Sequence, residues 1–192
     1  MTRDRSRLRR EARLARQAFA SALAPAVRRG LEAAIARQVL PLIPQAAVVA
    51  GYAAQDGEPD VVPWLARRGV TIAFPRVGSQ GLSFHPCPPE ALAPGAFGIL
   101  EPPAHLGPVA PDLVLAPLLL FDRAGRRLGR GAGLYDRTLH ALRARGTVRV
   151  IGIAWDWQEV AELPQASWDE RLDAVATPTR FLDFRSDARP GP

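Results

Sequence analysis

The chain has 192 residues, 47 % of them hydrophobic, a formal net charge of +6, and 25 basic residues that are all arginine. That length supports one sizeable buried core, and no apolar run approaches the roughly 18–20 residues that span a bilayer. Cys87 is the single cysteine, which excludes an internal disulfide, a C-x-x-C redox pair and a thiolate zinc site.

The positive charge is local. Residues 1–29 carry nine arginines against Asp4 and Glu11, so residues 30–192 are close to neutral. Arg5 to Ala20 reads as a helix with Arg5, Arg9, Arg13 and Arg16 along one side and Leu8, Ala12, Ala15 and Phe19 along another. This arginine row suits a phosphate site, although a solvated face has the same pattern. An arginine-rich start also resembles a mitochondrial presequence, but Asp4 and Glu11 interrupt it and no secretory segment is present, so a cytoplasmic location is expected.

Ala26 to Leu40 reads as a second helix after Pro25, and Val48 to Tyr52 as a first strand. Asp60 to Arg68 is a short helix with Pro63 near its first turn. Val70 to Phe74 is a strand stopped by Pro75, with a possible further strand from Leu82 to His85. A proline-rich stretch from Pro86 to Pro111 is long for a structureless connection, which suggests a covering segment or added local structure. His85, His105 and His140 lack metal-ligand spacing.

The most informative segment is PDLVLAPLLLFDRAGRRLGRGAGLYDRTL, residues 111–139. Leu113 to Phe121 reads as a buried strand with an irregularity at Pro117. Gly129, Gly131 and Gly133 follow, and then a helix begins through Leu134, Tyr135, Leu139 and Leu142. A strand, a glycine loop and a helix N-terminus together form an anion cradle. Arg126, Arg127 and Arg130 offer guanidinium forks, and Asp122, Asp136 and Tyr135 lie close in sequence. Without lysine the P-loop pattern is impossible, and G-x-G-x-x-G fails at Leu134. Val148 to Ala154 and Ala174 to Ala176 are the last strands, and Ser186 to Pro192 a frayed tail. Trp155 and Trp157 could border a ligand or pack beneath a loop.

This alternation predicts a single α/β domain over residues 1–185: an open, mostly parallel sheet with helices on both faces and the ligand at the carboxyl ends of its strands.

FDRAGRRLGRGAGLYDRTL resembles the signature of the 5-formyltetrahydrofolate cyclo-ligase (methenyltetrahydrofolate synthetase) family, F-D-x-x-G-x-R-L-G-x-G-x-G-x-Y-D-R. Arg5-Ser-Arg-Leu-Arg9 resembles its N-terminal K-x-x-L-R, and Gly57-Glu58 its substrate-side glutamate. Phe74-Pro-Arg-Val77 resembles its F-P-R-V turn, Phe97 to Pro102 its F-G-I-x-E-P, and Arg171 to Val175 its late D-x-V strand entry.

The resemblance implies ATP-dependent closure of 5-formyltetrahydrofolate to 5,10-methenyltetrahydrofolate, with magnesium required, on an isomerase-like architecture. It implies ATP contacts at Arg5, Arg9, Arg127, Leu128, Gly129, Arg130, Gly131, Ala132, Gly133, Leu134 and Tyr135, with Arg130 and Tyr135 catalytic. Folate contacts are implied at Glu58, Arg76, Arg130, Gly131 and Gly133, and magnesium at Asp136 and Asp173. Arg5 stands where the family has lysine, Ala132 where lysine or glycine is common, and Leu134 where a first tyrosine is common. The expected partners are ATP and a reduced folate, with no nucleic acid or membrane, in a monomer or weak homo-oligomer. Two other readings stay open: a sugar-phosphate protein that hydrolyses no ATP, and an RNA binder using the basic helix.

Overall fold

A computed structural model describes residues 4–45, 47–66, 70–95 and 98–185. The Asp4 carboxylate accepts a hydrogen bond from Ser6 N at 2.9 Å and so caps the first helix, α1 (Arg5–Ala22). Ala24, with ψ 142°, is kept out of the helical region as the residue before a proline must be, and Pro25 opens α2 (Pro25–Val39) at a position where its missing N–H is harmless. The chain then passes through β1 (Val48–Ala50), the single turn α3 (Val62–Leu65), and the hairpin β2 (Thr71–Gly78) and β3 (Gly81–Pro86). A small hairpin, β4 (Ala93–Pro94) and β5 (Leu100–Glu101), lies within the proline-rich stretch, which therefore has local structure of its own. β6 (Leu113–Pro117) precedes a second small hairpin, β7 (Leu120–Phe121) and β8 (Arg127–Leu128). The glycine loop then leads into α4 (Leu134–Arg143), followed by β9 (Arg149–Ile153), β10 (Ala174–Ala176) and β11 (Phe181–Asp183).

The main sheet has seven strands in the order β11-β10-β9-β6-β1-β2-β3. The inner five run parallel, and the two edge strands are antiparallel to their neighbours. Alternation along each strand divides its side chains between two cores. Val49, Leu113, Leu115, Ile151 and Ile153 pack with Ile35 and Val39 of α2, while Ala50, Val114, Ala116, Val150 and Val175 pack with Leu139 of α4. Helices therefore cover both faces, as the sequence predicts. α1 adds a third cluster, where Ala12 meets Leu119, Leu120, Leu128 and Leu163 just beyond the carboxyl end of β6. Among the described residues no helix is long and apolar enough to cross a membrane.

Four expected boundaries move. β1 ends at Ala50, although Gly51 N still reaches Ala73 O. β2 continues through Pro75, because beyond Ala73 its β1 side is open and a proline there removes no ladder bond on that side. The run Leu113 to Phe121 is two strands, broken after Pro117. The expected helix Asp60–Arg68 contracts to one turn, with residues 67–69 outside the described ones, as are Phe97 and the tail 186–192.

Candidate active site

Two of the three glycines in the loop are required by its backbone. Gly131 has φ +107° and Gly133, which caps α4, has φ +64°, a region that other residues enter only with strain. A Cβ on Gly131 would also lie 3.2 Å from Arg9 Nε, because Arg9 crosses the loop and donates to Gly129 O at 3.1 Å. The first helix and the glycine loop thus meet across 120 residues of sequence.

Between them lies a cavity of about 680 Å³ including its mouth. Its wall brings together Arg5, Arg9, Arg16, Glu58, Arg127, Gly129, Arg130, Gly131, Ala132, Leu134, Tyr135 and Asp136, with Pro117 to Leu119 from the end of β6 as its floor. Five guanidinium groups face two carboxylates, so the cavity favours a polyanion. Glu58 is buried at the back. Its Oε1 lies 3.0 Å from Arg130 Nη2 and 3.2 Å from Arg16 Nη2, and its Oε2 accepts from Gln55 N at 3.0 Å. Arg130 also donates to Gln55 Oε1 at 2.9 Å. Arg127 is buried between Asp136, at 2.7 Å, and Glu170 O. Burial pulls the pKa values of Arg16 and Arg127 down, and both remain cations because guanidinium starts so far above neutrality. The Tyr135 side chain is partly exposed, but its hydroxyl is buried without a hydrogen-bond partner among the described residues. Burial, and then the Glu58 charge, raise its pKa, so it stays a proton donor.

Leu128 and Gly133 flank the cavity, Leu128 as a buried anchor in the third cluster and Gly133 as the α4 cap. Two predicted contacts lie elsewhere. Arg76 donates to Pro102 O at 2.6 Å and sits 3.6 Å from Glu101, outside the cavity wall, because its β2 position points it at the β5 segment. Asp173 accepts from Val150 N at 2.7 Å and pairs with Arg143 at 3.3 Å. That places it at the amino ends of β9 and β10, against the last turn of α4, while Asp136 lies in the first turn of α4 on Arg127 and Glu170 N. Asp122 and Arg126 are structural too: Asp122 accepts from Ala124 N, Arg126 N and Leu163 N, and Arg126 pairs with Glu162. Trp155 is fully buried, packs on Phe19 at 5.4 Å and donates to Gly57 O, which is the packing alternative.

Sequence reasoning placed Arg16 on the arginine row without giving it a role, and it passed over Gln55. Only α1 packing shows that Arg16 turns inward while Arg13 pairs with Asp56 at 2.9 Å.

The matched residues reach beyond this site. The sequence profile of the 5-formyltetrahydrofolate cyclo-ligase family matches residues 1–178. The chain belongs to that family. The Escherichia coli K12 5-formyltetrahydrofolate cyclo-ligase is 34 % identical over 168 residues, covering 81 % of this chain and 91 % of that one. The NMR structure of Aquifex aeolicus 5,10-methenyltetrahydrofolate synthetase superposes with a TM-score of 0.79 at 29 % identity, covering 98 % of this chain and 96 % of its own. The Mycoplasma pneumoniae synthetase, at 22 % identity and a TM-score of 0.71, shares the fold over 91 % of this chain and 99 % of its own. Within this cyclo-ligase family member the cavity is the place where the N-terminal and glycine-loop motifs converge.

The cavity depends on one clamp at its rim. Arg5 grips Asp169 with contacts of 2.7 and 3.2 Å. Burial pushes the Asp169 carboxyl up, but hydrogen bonds from Arg5 and Ala166 N outweigh it and leave its pKa below the ordinary value. A carboxyl depressed by folding contributes stability that is complete above its unfolded pKa of about 4 and is lost as pH falls through the folded value. Thermal melts between about pH 6 and pH 3 are expected to show a shallower acid loss for Arg5→Met than for wild type.

Proposed function

We propose that this chain catalyses ATP-dependent cyclisation of 5-formyltetrahydrofolate to 5,10-methenyltetrahydrofolate, releasing ADP and phosphate. The observation that carries this reading is the single cavity in which Arg9 and the 129–133 loop face a buried Glu58. It offers cations for a triphosphate and an acceptor for a donor-rich heterocycle. The N5-formyl oxygen is a poor leaving group. Its attack on the γ-phosphorus expels ADP and makes an imidate-type phosphate. N10 then attacks the formyl carbon, loses its proton, and the C–O bond breaks to release phosphate.

Positioning and charge neutralisation account for most of such a reaction. Arg5, Arg9, Arg130 and the loop amides hold phosphate oxygens, and Glu58 accepts hydrogen bonds from the pterin's amino and ring N–H groups. Tyr135 donates its proton-bearing hydroxyl towards the developing charge. Arg127 acts through Asp136, fixing its Oδ1 while Oδ2 has no hydrogen bond from a described residue. A magnesium ion would be held by that Asp136 oxygen, a hard carboxylate donor, together with the nucleotide's own oxygens. When bound, that ion neutralises phosphate charge.

Incubation with magnesium, ATP and 5-formyltetrahydrofolate tests the reading: methenyl absorbance should rise with ADP release, and ATP hydrolysis without it, or no reaction, rejects it. In the same assay Asp136→Asn is expected to raise the magnesium concentration for half-maximal rate about tenfold. Asp173→Ala should leave that concentration unchanged and cost about 1–3 kcal/mol of stability, because Val150 N loses its acceptor. A magnesium shift in Asp173→Ala would restore the paired-carboxylate site.

A further inference from the structure

Arg16 and Asp122 are the most deeply buried charges among the described residues, each with 1 % of its surface exposed, and nothing so far gives Arg16 a part in the reaction. The Arg16 fork is fixed on two sides. Nε donates to Asp56 O at 3.0 Å, and Nη1 donates to Leu118 O at 2.9 Å. The third nitrogen, Nη2, is buried in the cavity wall in an ion pair 3.2 Å from Glu58 Oε1, yet it makes no hydrogen bond to a described residue. Buried N–H groups on a cation are rarely left without an acceptor, and this one belongs to a side chain that lines the cavity.

The neighbouring carboxylate indicates which acceptor completes it. Glu58 Oε1 and Arg16 Nη2 lie 3.2 Å apart in the cavity wall, so a carboxylate acceptor stands beside a guanidinium donor. The pyrimidine edge of a reduced pterin has the complementary groups: an exocyclic amino group, the N3–H, and the C4 carbonyl oxygen. We propose that Arg16 is a specificity-determining residue which, beside Glu58, donates to the C4 carbonyl oxygen of the pterin. The inference rests on the reading that Glu58 receives the pterin. Both groups are held before substrate arrives, since Asp56 O and Leu118 O leave the guanidinium a single orientation. Lysine could not replace it, because one ammonium cannot reach both carbonyls and still present a fixed N–H to the ligand.

The test is equilibrium binding, without ATP, of 5-formyltetrahydrofolate and its 4-amino-4-deoxy counterpart, in which an amino group replaces the C4 oxygen and N3 loses its hydrogen. Wild type should bind the oxo compound about ten- to a hundredfold more tightly. Arg16→Met should weaken the oxo compound about tenfold and leave the amino compound nearly unchanged, so that the preference falls to the share set by the N3–H contact with Glu58. Arg16→Lys keeps the charge and should also lose most of the preference; it decides the matter if Arg16→Met does not fold. Equal weakening of both compounds, or an undiminished preference, overturns the inference and leaves Arg16 as packing alone. Glu58→Gln separates the underlying reading: if it binds both compounds as wild type does, the pterin does not sit on Glu58 at all.

Discussion

Arg130→Ala is expected to lower turnover by about a hundred- to a thousandfold while the protein stays folded, the scale seen when one donor to developing charge is removed from a preorganised site. The two halves of that expectation have separate causes. The Arg130 side chain is 38 % exposed, and its partners Gln55 and Glu58 keep other contacts without it: Gln55 reaches Gly98 O, while Glu58 keeps Arg16 and Gln55 N. The loop is shaped by Gly131 and Gly133, not by the arginine between the first two glycines. Stability should therefore change little, as for other half-exposed ion pairs. Catalysis has no such reserve, because Arg130 is the cavity-wall guanidinium that joins the glycine loop to Glu58. Arg130→Lys should fall between wild type and Arg130→Ala, since an ammonium keeps the charge and loses the two-pronged reach. Steady-state rates beside thermal melts check both halves, and a folded Arg130→Ala with full turnover removes the residue from the site.

Gly57→Ala should be the most damaging single methyl group that can be added near the cavity. Gly57 has φ +78°, and a Cβ there would lie 2.7 Å from Arg16 O and 2.8 Å from the Ala20 Cβ. One atom is helix backbone and the other a methyl with no rotamer to change, so α1 itself must move. A left-handed non-glycine residue costs about 1–2 kcal/mol and overpacking about 1–3 kcal/mol more. For a chain of this size that corresponds to a fall in Tm on the order of 5–15 °C. The displaced helix carries Arg5, Arg9 and Arg16, so the KM values for nucleotide and folate should rise together. A variant with wild-type Tm and raised KM for one substrate only would contradict this account.

Much of this was legible in the residues. The alternation of apolar strands with amphipathic helices marks the two-faced parallel sheet, and the strand, glycine loop and helix around Gly129 to Leu134 mark the anion cradle. Pro117 marks the break between β6 and β7 because a missing N–H is a local fact. What stayed hidden depends on pairing between distant segments. The path of β2 through Pro75 follows from β1 ending at Ala50, which no local pattern announces. β11 is a half-buried edge of three residues, too short for alternation to register. Arg76 and Asp173 sit in family motifs, but their side chains end on Pro102 and Arg143, partners set by the tertiary fold. The roles of Arg16 and Gln55 come from α1 packing against the 55–58 loop, and Gly57, the residue that permits it, looks like any turn glycine in sequence.

The clamp from Arg5 to Asp169 closes over a sequence separation of 164 residues. A ribosome making this protein therefore releases the helix that carries Arg5, Arg9 and Arg16 long before the carboxylate that anchors it exists. Emerging polypeptide should be blind to ATP until its last quarter is outside the exit tunnel, and ligand capture should then switch on as a late event of folding, dominated by contacts between remote parts of the chain.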